Sequence, residues 1–161
     1  MIPKVVKSMG ILVGLVALAT VGCKSSGTAV TQRGQVMKIS IDGPSSMAEG
    51  ETSDIRVNVA NYGVNKLSNV VYQVEVPPRL VVLEENHGAG MNLTAAITPD
   101  GSKLYAYRIG GLNPGEKSEA RFKVRASFGS FDTSGDIKVT AWQEDLPNNK
   151  LIETHAIKLK S

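Results

Sequence analysis

Glu119-Ala120-Arg121-Phe122-Lys123-Val124-Arg125-Ala126 decides the fold class of this chain. Apolar residues hold every second position and charged residues hold the positions between them. Successive side chains of a β-strand leave opposite faces, so a period of two marks a strand with one face on a core and one in water. The pattern repeats outward from this stretch. Met37, Ile39 and Ile41 alternate with Lys38 and Ser40, and Ile55, Val57 and Val59 alternate with Arg56 and Asn58. Val70, Tyr72, Val74 and Val76 follow, then a continuous apolar run from Leu80 to Leu83. Further strands are expected over Leu93 to Ile97, Leu104 to Ile109, Ile137 to Ala141 and Leu151 to Leu159. Asp42-Gly43-Pro44, Asn61-Tyr62-Gly63, Pro77-Pro78 and Pro99-Asp100-Gly101 supply the turns between them. No window shows helical periodicity. Short strands at this spacing predict an all-β antiparallel sandwich of about 7–8 strands.

The turn residues have specific expected roles. Gly50 and Gly115 each sit in an acidic turn before an alternating strand, where positive φ is needed and glycine accepts it without strain. Asn61 is expected to close an Asx-turn, with Gly63 reversing the chain and Leu112 plugging one end of the core.

These turns also carry a resemblance. Met47-Ala48-Glu49-Gly50-Glu51, Asn61-Tyr62-Gly63, Asn69-Val70-Val71 running to Pro77 and Leu80, and Ile109-Gly110-Gly111-Leu112-Asn113-Pro114-Gly115-Glu116 resemble the DUF11/CARDB-like group of bacterial envelope domains. The match runs from about Ile39 to Thr140. It implies an immunoglobulin-like sandwich in a cell-surface setting.

The N-terminus reads differently. Lys4 and Lys7 precede an apolar run from Met9 to Gly22, the layout of a secretory leader. Ile11 to Gly22 would span roughly 18 Å as a helix at about 1.5 Å per residue, too short for a hydrocarbon core of about 30 Å. The run ends at Thr20-Val21-Gly22-Cys23, which resembles the lipobox of bacterial lipoproteins. That resemblance implies cleavage before Cys23, acylation of its sulfur and amine with palmitate-type chains, and a place in the cell envelope. Lys24 in place of aspartate fits outer-membrane sorting in enteric-type bacteria. Cys23 is the single cysteine of the chain, so no intramolecular disulfide can form. The expected organisation is therefore a leader at 1–22, a lipidated cysteine and flexible tether at 23–34, and one sandwich at 35–161.

Composition limits what such a domain does. Two of the 18 Lys+Arg lie in the leader, so 16 face 15 Asp+Glu afterwards. Without a basic run interleaved with aromatics, nucleic acid is not an expected partner. His87 and His155 are too few for a zinc site without recruited carboxylates. Glu84-Glu85-Asn86-His87 is read as part of a mobile loop leading into Gly88-Ala89-Gly90, and no acid/base role is expected there. Phe131-Asp132-Thr133-Ser134-Gly135-Asp136 lacks the alternating carboxylates and distal glutamate of a calcium loop. No nucleophile elbow, Walker loop or dinucleotide motif occurs, so neither an enzyme nor a cofactor is expected. Trp142 is the one candidate partner contact: if Ile137, Val139 and Ala141 face the core, period two sends it outward. Two functions fit. One is a lipid-anchored structural or protein-interaction module; the alternative is a lipoprotein presenting a small molecule or glycan. A pocket shared by Trp142, Tyr105 and Tyr107 would favour the second.

Overall fold

The computed structural model describes residues 22–32, 34–88 and 91–161. The leader expected at 1–22 lies, apart from Gly22, outside the described residues. The elements are β1 (Cys23–Gln32), β2 (Gln35–Gly43), β3 (Ser46–Ala48), β4 (Thr52–Asn61), β5 (Leu67–Val76), β6 (Leu80–His87) and β7 (Met91–Ile97). They continue with β8 (Lys103–Leu112), β9 (Lys117–Ala126), β10 (Thr133–Ser134), β11 (Ile137–Gln143), β12 (Leu151–His155) and β13 (Lys158–Lys160). Two five-stranded antiparallel sheets, β1-β2-β4-β9-β6 and β12-β11-β5-β8-β7, face each other. A small third sheet, β10-β13-β3, closes one end, and its β13–β3 pairing is parallel. The chain is an all-β antiparallel sandwich, as the period of two predicts, and of the immunoglobulin-like kind that the sequence resemblance implies.

The opening octapeptide lies in β9, between β4 and β6. Ala120, Phe122, Val124 and Ala126 are buried, and Arg121, Lys123 and Arg125 are exposed. The facing sheet contributes Tyr72, Val74, Val76, Tyr105, Tyr107, Val139 and Ala141 to the same core. The Phe122 ring meets Tyr105 edge-on across the interior, with centroids 5.2 Å apart. Aromatic pairs favour such tilted contact because the ring edge is positive and its face negative.

The pairing of β4 with β9 contains a repeat. Gly50-Glu51, Ser53, Arg56 and Val59 correspond to Gly115-Glu116, Ser118, Arg121 and Val124, each 65 positions later. Both glycines have positive φ, 79° and 81°. Each following glutamate accepts the N–H three residues back at 2.7 Å, from Ala48 and from Asn113. The hydrogen bonds are reciprocal: Gly50 N–H to Ala126 O, Gly115 N–H to Asn61 O, Ala126 N–H to Glu51 O and Asn61 N–H to Glu116 O, all 2.9 Å. The central pairings have local two-fold character: under the 65-residue shift Arg56 pairs with its own counterpart Arg121 in one sheet, and Val74 with its counterpart Val139 in the other.

Three sequence expectations change. The stretch 23–34, read as a lipidated cysteine and flexible tether, instead holds a ten-residue strand from Cys23 to Gln32, and β1 pairs with β2 from Cys23↔Gly43 to Gln32↔Gln35. Cys23 to Gln32 are therefore part of the sandwich rather than a tether ahead of it. Low apolar content misled the reading, because an edge strand takes its stability from backbone pairing and needs few core side chains. Glu84 to His87, read as loop, continue β6. The final segment is two strands, β12 and β13, with buried Ile157 between them.

Candidate binding surfaces

Cys23 is exposed at the first position of β1, with a free thiol. Beside it opens a groove of about 830 Å³ whose lining includes Gly22, Asp42, Ser45, Glu51, Asp54 and Arg56. Its walls carry both carboxylates and the Arg56 guanidinium, so they are mixed in charge.

Trp142 lies on the outer face of its sheet, as period two predicts, and is half-buried. Its register partner is Val71, which is only 3% exposed although it too faces outward. Lys150 Nζ stands 5.1 Å from the centre of the Trp142 ring. The indole thus shields an outward valine and carries a cation–π contact at its rim. Tyr105 and Tyr107 point into the core on the opposite side of the same sheet, so the three rings share no pocket.

A polar cluster sits at the side of the sandwich bounded by β6 and β7. A β-bulge between Val82 and Glu84 adds one residue to β6, and Leu83 is 45% exposed there. The bulge returns Glu85 and His87 to the face that carries Leu80 and Val82. Tyr107 donates its hydroxyl to Glu85 Oε1 at 2.5 Å, and His87 Nδ1 lies 3.3 Å from the same oxygen. The Tyr107 ring is flanked by Tyr72 and His87 at centroid distances of 4.9 and 5.0 Å. Glu84 faces away and approaches Lys123 at 3.5 Å. Glu85 and His87 are therefore neighbours, unlike the loop residues expected from sequence, but neither lines the groove beside Cys23. Among the described residues no three His, Cys, Asp or Glu gather as a metal site.

Burial raises the pKa of these phenols. Tyr72 is pushed up to about 12, by burial first and by the Glu85 charge in addition, with Ser118 offsetting part. Tyr107 is also raised, by burial and then by its bond to the negative Glu85, and Tyr105 is raised by burial. The neutral phenol is the form that folding favours. Its contribution is full below the unfolded value of about 10 and is lost as pH rises towards the folded value of about 12 for Tyr72. Tyr72 and Tyr107, two of the four tyrosines, are expected to ionise only together with loss of β-sheet circular dichroism. Reversible phenolate absorbance from all four tyrosines in an intact fold would contradict this.

His155 and Asp132 are tied into the fold by hydrogen bonds. His155, 2% exposed, spans Ser25 Oγ at 3.3 Å and the Pro44 carbonyl at 3.0 Å. A neutral ring with its proton on Nε2 satisfies both, donating to Pro44 and accepting from Ser25. In the 131–136 loop, Asp132 accepts the N–H and hydroxyl of Ser161 at 2.8 and 3.1 Å. Those bonds hold its carboxyl below the usual range. The loop thereby fastens the end of the chain.

No family model matches the chain, and no curated protein matches it either. Solved structures do. A cohesin module from a Clostridium perfringens family 33 glycoside hydrolase aligns with TM-score 0.51 and 9% identity, over 88% of this chain and 98% of that one. A structure described as AvmM, which catalyzes macrocyclization in alchivemycin A biosynthesis, aligns with TM-score 0.50 and 12% identity, over 81% and 90%. A Pyrococcus furiosus CARDB domain in complex with di-metal ions aligns with TM-score 0.45 and 14% identity, over 95% and 99%. The shared property is the fold. The first two carry it, and one is a module while the other is a catalyst, so the fold by itself does not select a function. The sandwich implied by the sequence resemblance is present; a named family is not assigned.

Proposed function

We propose that this chain is a bacterial lipoprotein: a cell-envelope protein held to the membrane, by preference the outer membrane, by acylated Cys23, with a sandwich that acts as a non-enzymatic structural or protein-interaction module. The observation carrying the reading is a single, exposed, unpaired cysteine that follows a basic and apolar leader and opens the first strand. One acyl chain gives only marginal binding, so the two or more chains of a lipoprotein cysteine are what stable attachment needs. The separation of Trp142 from Tyr105 and Tyr107 by the sheet favours a module over a ligand-presenting lipoprotein.

The position of β1 adds a constraint. Because pairing with β2 begins at Cys23 itself, the anchor has no slack. The end of the sandwich carrying Asp42, Gly43 and Pro44 would rest against the headgroups. Cys23→Ser is expected to move the protein from the membrane fraction to the soluble or unprocessed fraction and to abolish its partition into detergent. Unchanged partitioning of the variant would defeat the reading.

A further inference from the structure

The two long sides of the sandwich differ. On one, β12 packs over β1 and β2, and Leu151, His155 and Ile157 are buried. On the other, β6 and β7 run as unpaired sheet edges. Ala95 lies opposite core Tyr105 yet is exposed, as is Ala96, and Ile97 is 74% exposed.

Edges are ordinarily guarded by charge, proline, bulges or cover. β6 is guarded by its bulge and by Glu84, β1 carries Lys24, and β12 is covered. β7 has a bulge near Leu93, but its seven residues, Met91–Ile97, include no charge and no proline, and its last three are small or aliphatic and exposed. Across the opening stands Glu85. Its carboxylate takes the Tyr107 hydroxyl and faces a histidine that carries charge only when protonated. Among the described residues, no lysine or arginine forms an ion pair with it. A half-buried carboxylate in this position is complementary to a cation from outside.

We propose that β7 is the docking edge for an extended segment of a protein partner, which adds to the sheet as a further strand and brings a lysine or arginine to Glu85. Backbone pairing to β7 supplies affinity, and the cation at Glu85 supplies register and selectivity. Ala95 and Ala96 leave room for the alternate aliphatic side chains of such a strand. This deepens the interaction-module reading, yet it is tested without the anchor.

The experiment uses the full chain bearing Cys23→Ser and three fluorescent peptides of alternating valine and threonine, differing only in a central lysine, glutamate or norleucine. The lysine peptide is expected to bind about tenfold more tightly than the glutamate peptide, equivalent to about 1.4 kcal/mol. Glu85→Gln keeps an acceptor for Tyr107 and is expected to bring the ratio within about twofold. Ile97→Asp, at an exposed site, is expected to weaken all three peptides. Hydrogen exchange should show new protection at Asn92–Ile97 amides on binding. Equal affinity for all three peptides, no binding by any, or protection elsewhere would overturn the proposal. So would β7 protection that grows with protein concentration alone, which would make the occupant a second copy.

Discussion

Phe122→Ala is expected to cost about 3–5 kcal/mol, a large share of the roughly 5–15 kcal/mol that holds a domain of this kind folded. The ring is 1% exposed, sits on β9 between β4 and β6, and touches Tyr105 of the facing sheet. Its loss removes apolar burial and leaves a void that two hydrogen-bonded sheets cannot close by collapsing. Phe122→Leu keeps most of the volume and should cost about 1.5 kcal/mol. Urea midpoints with an unchanged slope would measure both. An alanine variant within about 1 kcal/mol of the parent would show that Phe122 does not bridge the layers.

Asn61→Ala should cost about 3 kcal/mol, comparable to a core deletion although the residue is polar. Asn61 is 1% exposed at the end of β4. Its Nδ2 donates to the carbonyls of Asn65 at 2.8 Å and Leu112 at 2.9 Å, while Oδ1 accepts the Gly63 N–H at 2.9 Å. Alanine strands a buried Leu112 carbonyl and releases the 61–65 loop from the end of the core. Asn61→Asp separates the roles: it keeps the acceptor but turns both donors into an anion facing two carbonyl oxygens. At neutral pH it should rescue nothing. Recovery of stability with aspartate would show that the turn bond to Gly63, rather than the bond to Leu112, is what matters.

The sandwich was legible because a core between two sheets imposes a period of two on every central strand, as β4, β5, β9 and β11 show in their burial. The turns were legible where one residue type is required: Gly50 and Gly115 have the expected positive φ, and Asn61 closes the expected Asx-turn. Gly63 serves differently from its reading. A Cβ there would come within 2.3 Å of the Gly34 carbonyl and 2.6 Å of the Val36 nitrogen, so close approach of two backbones demands glycine. β1 was not legible because Lys24-Ser25-Ser26-Gly27-Thr28 offers no alternation. Its pairing is a property of the β2 edge. The Glu85–His87–Tyr107 cluster escaped for a related reason. It depends on a bulge at Leu83, and a single inserted residue inverts every face assignment after it. Leu80 to Leu83 are all apolar and Glu84 to His87 all polar, so no alternation along β6 marks the bulge.

The 65-residue repeat gives the centre of this molecule the constraints of a homodimer written into one chain. A residue on a two-fold axis must face its own counterpart, so Arg56 meets Arg121 across β4 and β9, a pairing of like charges that costs stability. Glu119 answers it: it bonds the Arg121 guanidinium, and that bond, with help from the surrounding cations, holds its carboxyl below the ordinary range. A true homodimer would be obliged to spend the same side chain on both sides. Here the counterparts have diverged. Ile55 corresponds to Ala120 and Val57 to Phe122, so one side of the axis pairs Ile55 with Phe122 and the other pairs Val57 with Ala120. Bulk has moved to one flank, the flank where Phe122 meets Tyr105. Covalent fusion of the halves gives the fold a left and a right, and with them one sealed side and one open side.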